Sequence, residues 1–200
     1  MNGNVASPWP LGFGVLAIAL WMVSVVPAGI AGPMGFGVAP GTMHAIFTVA
    51  MLGLLIAGLA AFLRHETWLG FFFLLWSGLF WAGGFGFARV GGLRFDGWFL
   101  MTIALVNLYL WVAAWKSGKL GAAVSFMVLL LWISFFCYGL RDFFDFWVLL
   151  RVGGAFGLAS ALMAFYISAT TLAVTHDPNK RYPGIVYVET HRVPPTEPRI

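Results

Sequence analysis

Six apolar runs fill the chain between Leu11 and Val174. Each is near the 20 or so residues that carry a helix across a bilayer, and no other feature limits the fold as strongly. They read as about Leu11–Ala31, Met43–Leu63, Trp68–Ala88, Gly97–Trp115, Leu120–Leu140 and Trp147–Val174, the last long enough to tilt or lie partly in the interface. Short segments end the runs: Gly32-Pro33, Arg64-His65-Glu66, Arg89, Lys116 and Arg141-Asp142. Only 9% of the 200 residues are charged and 61% are hydrophobic. Soluble domains carry roughly 25% charge, and a water-facing surface cannot be covered with so little. Period-two alternation does not recur, which argues against a transmembrane barrel. The expected fold class is all-α, a polytopic membrane protein with six transmembrane helices in a bundle. Residues 1–10 form a segment before it and residues 175–200 a tail behind it.

Lysine and arginine placement sets the expected orientation. With the N-terminus inside, inner segments carry Arg64, Lys116, Lys119, Lys180, Arg181, Arg192 and Arg199. Outer segments carry Arg89, Arg94, Arg141 and Arg151. Both termini are therefore expected in the cytoplasm of a cell with the protein in its inner or plasma membrane. The net charge of +4 sits in loops and tail, which suits anionic lipid headgroups better than nucleic acid. The first Lys or Arg is Arg64, so the opening stretch does not read as a secretion signal. The tail holds Pro178, Pro183, Pro194, Pro195 and Pro198 with no apolar period, and reads as extended or disordered. Trp9, Trp68, Trp98, Trp115 and Trp147 fall near span ends, as an anchoring aromatic belt does. The single Cys137 excludes an intrachain disulfide and reads as a small buried hydrophobe.

No Asp, Glu, Lys or Arg lies in the middle of a span. Proton relays, counter-ions and ion pathways usually need one. A retinal-type lysine, a pair of haem ligands and a buried His–Asp pair are all missing, so neither an enzyme, a metal nor a cofactor is expected. Small residues recur instead: Gly78, Ala82 and Gly86 in the third span, Gly153 and Gly157 in the sixth. Such ladders let helices approach closely. Sparse hydroxyls are read as bonding a carbonyl one turn back on their own helix. Asn107 is the polar group most costly to leave unpaired, and it and Tyr166 are candidate pore-polar residues. A bundle of this kind fits passage of a small solute selected by pore width, a few donors and dewetting.

Ser7-Pro8-Trp9-Pro10-Leu11-Gly12-Phe13 resembles the Asn-Pro-Ala-Pro-Leu-Gly-Leu signature of the acetate uptake transporter family, the succinate–acetate permeases. Pro8 and Pro10 are expected to hold an extended entry, since a residue before proline is pushed out of the helical region, and Pro10 is expected to suit the first helical turn, where its missing N–H costs nothing. Gly12 is expected to admit a neighbouring backbone. Looser likenesses are Ala57-Gly58-Leu59, Ser77-Gly78-Leu79-Phe80-Trp81, Ala161-Leu162-Met163-Ala164-Phe165-Tyr166 and Arg181-Tyr182-Pro183-Gly184. The resemblance implies a six-helix protomer with its own pore, assembled as a homohexamer, passing acetate, related monocarboxylates or succinate. It also implies a hydrophobic constriction from spans one, three and five, which falls at Leu16, Ser77 and Leu131. The family carries phenylalanine and tyrosine at the first two of these, so the constriction here is smaller and less aromatic.

On this reading Arg89 and Arg94 steer anions to the outer mouth. His44, with an unperturbed pKa of about 6.5, is the candidate proton sensor. Two other readings stand beside the carboxylate channel or permease: a urea- or amide-type channel for neutral solutes, and a non-transporting subunit of a larger membrane complex.

Overall fold

The computed structural model describes residues 7–30, 40–85, 93–118, 120–176 and 182–184, without the side chains of 40–44, 83–85, 93–96 and 175–176. Among these residues the chain is helical with no strand. The helices are α1 (Trp9–Ser24), α2 (Pro40–Leu63), α3 (Thr67–Phe85), α4 (Leu93–Ser117), α5 (Gly121–Phe144) and α6 (Trp147–His176). Among the described residues, four contain spans long and apolar enough to cross a membrane: Ala45–Leu63, Gly97–Ser117, Gly121–Phe144 and Trp147–Val174. α1, at 16 residues, rises only about 24 Å, short of the roughly 30 Å hydrocarbon core.

α1, α2 and α5 stop for local reasons. α1 ends at Ser24 rather than near Ala31, because the chain turns over Val25–Gly29 around Pro27. Proline cannot supply the N–H that a further turn requires. The α2–α3 connection is three residues long, and His65 sits there at φ 61. α5 runs past Arg141 and Asp142, which pair at 2.8 Å inside its last turn, and ends on Asp145 at φ 52. That left-handed cap is a common helix stop, and Asp tolerates it better than most side chains.

The start of α1 corrects the extended entry expected around Pro8 and bears out the first-turn place expected for Pro10. Pro8 is already helical (φ −75°, ψ −14°), and its carbonyl accepts the Gly12 N–H at 2.9 Å. Pro10 lies in the first turn, where a missing N–H costs nothing. That freedom lets two prolines open a helix instead of delaying it.

Side-by-side packing joins α4 to α5, α5 to α6, α6 to α1, α1 to α2, and α2 to α3. The helices therefore follow one another around the bundle, with the first and last as neighbours. α1 and α6 meet through small residues. A Cβ on Gly154 would lie 2.7 Å from the Ala28 Cα, and one on Gly157 would lie 3.0 Å from the Ser24 Cβ. A Cβ on Gly153 would meet the Tyr138 ring and the Ser134 carbonyl of α5. The sixth-span ladder is thus packing within the chain. Gly78 of the third-span ladder is exposed with open space above it, and Gly86 lies outside the described residues.

Candidate permeation pathway

α3 places Trp68, Phe72, Trp76 and Phe80 four residues apart, so their rings share one helix face. The rings touch in sequence: Trp68 stacks on Phe72 at 5.1 Å, Phe72 meets Trp76 at 6.4 Å, and Trp76 meets Phe80 at 5.6 Å. From α1, Trp9 leans on Phe13, whose ring meets both Phe72 and Phe73. From α5, Phe135 reaches Trp76 at 5.4 Å and also contacts Tyr138. α3 and α5 are not packed side by side, so the Trp76–Phe135 contact bridges the interior of the bundle. Leu16, Leu131, Met127 and Ile167 are fully buried in the same core. The axis of the bundle is an aromatic column walled by aliphatic side chains.

The polar groups of this interior are few and uncharged. Buried polar residues among those described are Ser24, Ser77, Asn107, Ser134, Ser160 and Thr170. Four serines bond across helices, which corrects the expectation of bonds within their own helix. Ser77 donates to the Met51 carbonyl at 2.8 Å, Ser134 to Gly153 at 2.7 Å, Ser160 to Met127 at 3.2 Å and Ser168 to Pro10 at 2.7 Å. These tie α3 to α2, α5 to α6 twice, and α6 to α1. Threonines keep the local pattern: Thr102 donates to Trp98, and Thr170 to Tyr166 and Ile167. Among the described residues, Trp68 Nε1, Trp76 Nε1 and Asn107 Oδ1 are buried polar atoms without a hydrogen-bond partner. The Tyr138 hydroxyl lies against those of Ser24 and Ser134.

At the end of the bundle where α1 begins, a polar latch ties α1 to the α2–α3 connection. Trp9, 7% exposed, donates its indole N–H to Glu66 Oε2 at 2.7 Å, and Glu66 pairs with Arg64 at 3.2 Å. Trp9 is therefore no lipid anchor, because its polar edge has a carboxylate to meet inside the fold. Trp68 is likewise half-buried under Phe72. Trp98, Trp115 and Trp147 are exposed as an aromatic belt requires, and the Arg151 guanidinium sits 4.3 Å from the Trp147 ring centre. Gly12 does permit a close approach, but by the Phe73 ring rather than a backbone. Leu11 faces outward and Phe13 is fully buried.

No family model matches the sequence, and no curated protein does. Among solved structures, the chain superposes on the bacterial acetate channel SatP with a TM-score of 0.74 at 14% identity, covering 90% of this chain and 98% of that one. The chain has the fold of SatP. At that identity the likeness is one of architecture, and it extends over nearly the whole of both bundles. The six-helix membrane fold expected from the sequence is the fold observed.

Within this SatP-like bundle the residues singled out in the sequence separate. Leu16 and Leu131 share the core, while Ser77 turns its hydroxyl to α2 and leaves the interior to its neighbour Trp76. Asn107 is 1% exposed and turns back on its own helix, donating to the Ile103 carbonyl at 3.0 Å. Tyr166 donates to the Pro183 carbonyl at 2.9 Å, so its hydroxyl serves the tail and not a pore. Gly184 in turn accepts the Ala123 N–H at 3.0 Å. That first-turn amide has no partner within its helix, so the tail segment Tyr182–Gly184 is docked where the sequence suggested an unanchored extension. Arg89 lies outside the described residues, as do the side chains of Arg94 and His44. The aromatic column and the Trp9–Glu66 latch were missed; the spacing of four in Trp68-Phe72-Trp76-Phe80 was the signal for the column. A lateral cavity of about 260 Å³ opens between α1 and α2, lined by Val15, Ile18, Ile46 and Val49 among others.

Proposed function

We propose that the protein is a membrane channel for short monocarboxylates, with acetate as the first candidate. The observation that carries this is an acetate-channel fold whose interior is aromatic and, among the described buried residues, uncharged. A methyl group suits ring faces, and a carboxyl group needs only a few hydrogen-bond donors. Urea has four N–H hydrogens to satisfy, and this interior offers few free acceptors, because helical carbonyls are already engaged. Bare carboxylate is costly to bury without a cation. Passage with a proton, without a fixed carboxylate relay, is the economical route. Succinate, with two carboxyl groups, is the harder cargo for the same reason.

Leu16 and Leu131 are assigned to the narrow region, with His44, Arg89 and Arg94 at the outer mouth and both termini in the cytoplasm. Assembly is as a homo-oligomer, the hexamer implied by the family resemblance, and the uncovered Gly78 on α3 suits a helix–helix contact. The test is uptake of labelled acetate into proteoliposomes, with and without an inward proton gradient, beside a Leu131→Trp variant and labelled urea. Acetate uptake that Leu131→Trp blocks is the expected result. Urea uptake without acetate uptake, or neither from folded protein, overturns it.

A further inference from the structure

A groove of about 610 Å³ lies between α4 and α5, where α4 ends and α5 begins. Trp111 and Trp115 wall it from α4, and Ser125, Phe126 and Leu129 wall it from α5. The two indoles lie 5.1 Å apart between centroids, and Trp115 and Phe126 are exposed on the outside of the bundle. Gly118 stands at the mouth at φ 62, and a Cβ there would meet nothing within 4 Å, so no side chain covers the groove at that point. From Gly121 to Leu129 the groove follows α5 over a rise of about 12 Å. That is close to the roughly 15 Å depth of one hydrocarbon leaflet. The Ser125 hydroxyl, one turn along from Gly121, makes no hydrogen bond to a described residue. A hydroxyl left unmet among apolar walls is costly.

The rim of the groove is basic. Lys116 is exposed in the last turn of α4. Lys119 follows Gly118 directly in the sequence, and Lys180 and Arg181 directly precede Tyr182–Gly184, the segment docked on the Ala123 amide of α5. Between residues 97 and 141 the sequence has no Asp or Glu, and between residues 146 and 188 it has Asp177 alone. A second copy of the chain would bring this rim little to pair with. Glu66, the acid at this end of the bundle among the described residues, is already engaged by Arg64 and Trp9.

We propose that the α4–α5 groove binds an anionic phospholipid. One acyl chain lies against Trp111, Phe126 and Leu129, the Ser125 hydroxyl donates to an ester carbonyl, and the phosphate meets Lys116 and its basic neighbours. A zwitterionic lipid fits the same walls but brings its own cation to a basic rim and gains less there. The site requires only the membrane fold, not the channel reading. On the orientation proposed above it faces the cytoplasmic leaflet.

The experiment is native mass spectrometry of the full chain in detergent, titrated with phosphatidylglycerol and, separately, with phosphatidylcholine of the same acyl chains. Wild type is compared with Lys116→Gln and with Ala122→Trp, which places a bulky ring in the groove from an exposed position on α5. The expected result is one saturable phosphatidylglycerol per chain, held about tenfold or more tightly than phosphatidylcholine. Lys116→Gln weakens phosphatidylglycerol about fivefold, the share of one basic residue near a lipid surface, and leaves phosphatidylcholine unchanged. Ala122→Trp abolishes the saturable adduct. Equal affinity for the two lipids, or phosphatidylglycerol binding that neither substitution weakens, overturns the site. A wild-type oligomer that takes up no saturable lipid and falls apart in Ala122→Trp also overturns it, because a second copy then covers the groove. Should Ala122→Trp fail to fold, Lys116→Gln at its exposed position decides by itself. Selective phosphatidylglycerol binding keeps the site even in a preparation that takes up no acetate, so the two readings fail separately.

Discussion

Replacing Gly154 with alanine puts a methyl group where α6 already touches the backbone of the α1 turn. The new Cβ would lie 2.7 Å from both the Ala28 Cα and the Pro27 carbonyl carbon. That is about 0.7 Å or more inside the carbon–carbon contact distance. Backbone atoms cannot rotate away as a side chain would, so α1 and α6 must part. Overpacking of this kind costs about 1–3 kcal/mol, and an immovable neighbour places it near the upper end. The helix regains about 0.8–1 kcal/mol from losing a glycine, which leaves a net loss of about 1–2 kcal/mol. For a chain of this size each kcal/mol moves the midpoint by about 2–4 °C, so a fall of about 2–8 °C is expected. Gly78→Ala is the matched control: nothing lies within 4 Å of its Cβ, and only the helical gain remains. Apparent Tm from intrinsic fluorescence, in one detergent at one scan rate, compares the two with wild type. A Gly154→Ala protein that melts at or above wild type refutes the α1–α6 contact as described.

Trp9→Phe keeps the ring on Phe13 but removes the N–H bonded to Glu66; a loss of about 1–2 kcal/mol is expected, read as a lower apparent Tm. Asn107→Leu removes a buried amide whose oxygen has no partner and whose nitrogen serves only its own helix. It should melt no lower than wild type, and a loss of more than about 1 kcal/mol would show that Asn107 has a partner across helices. Tyr166→Phe releases the Pro183 carbonyl, so limited trypsin digestion should cut faster after Arg181 with little change in Tm. Equal cleavage rates would show that the tail is held by something else.

The bundle was legible because lipid demands it. Apolar runs of spanning length leave a helix as the only way to satisfy the backbone, and four of the five ends that the sequence announces fall close to their charged residues. The exception, the end of α1, turns on Pro27, which an unbroken apolar run conceals. The site was less legible, since apolar composition carries no direction. Every residue near position 77 is hydrophobic or small, and a shift of one residue turns a helical side chain by 100°. The resemblance led to Ser77, whereas the rotation of α3 gives the interior to Trp76. Long-range polar pairs such as Trp9 with Glu66 or Tyr166 with Pro183 leave no local pattern at all.

The packing of α1 against α6 has a consequence for how the protein is made. α1 leaves the ribosome first, yet the partner that covers its Ser24, and donates to its Pro10 carbonyl through Ser168, is translated last. Until then α1 has α2 beside it and the α3 rings against Phe13, but its α6 face stays open, and it is too short to span the hydrocarbon comfortably. A nascent chain stopped before Trp147 would therefore hold its first helix half-clothed in the membrane, exposed to quality-control proteases. The earliest helix to be inserted is among the last to find its final place.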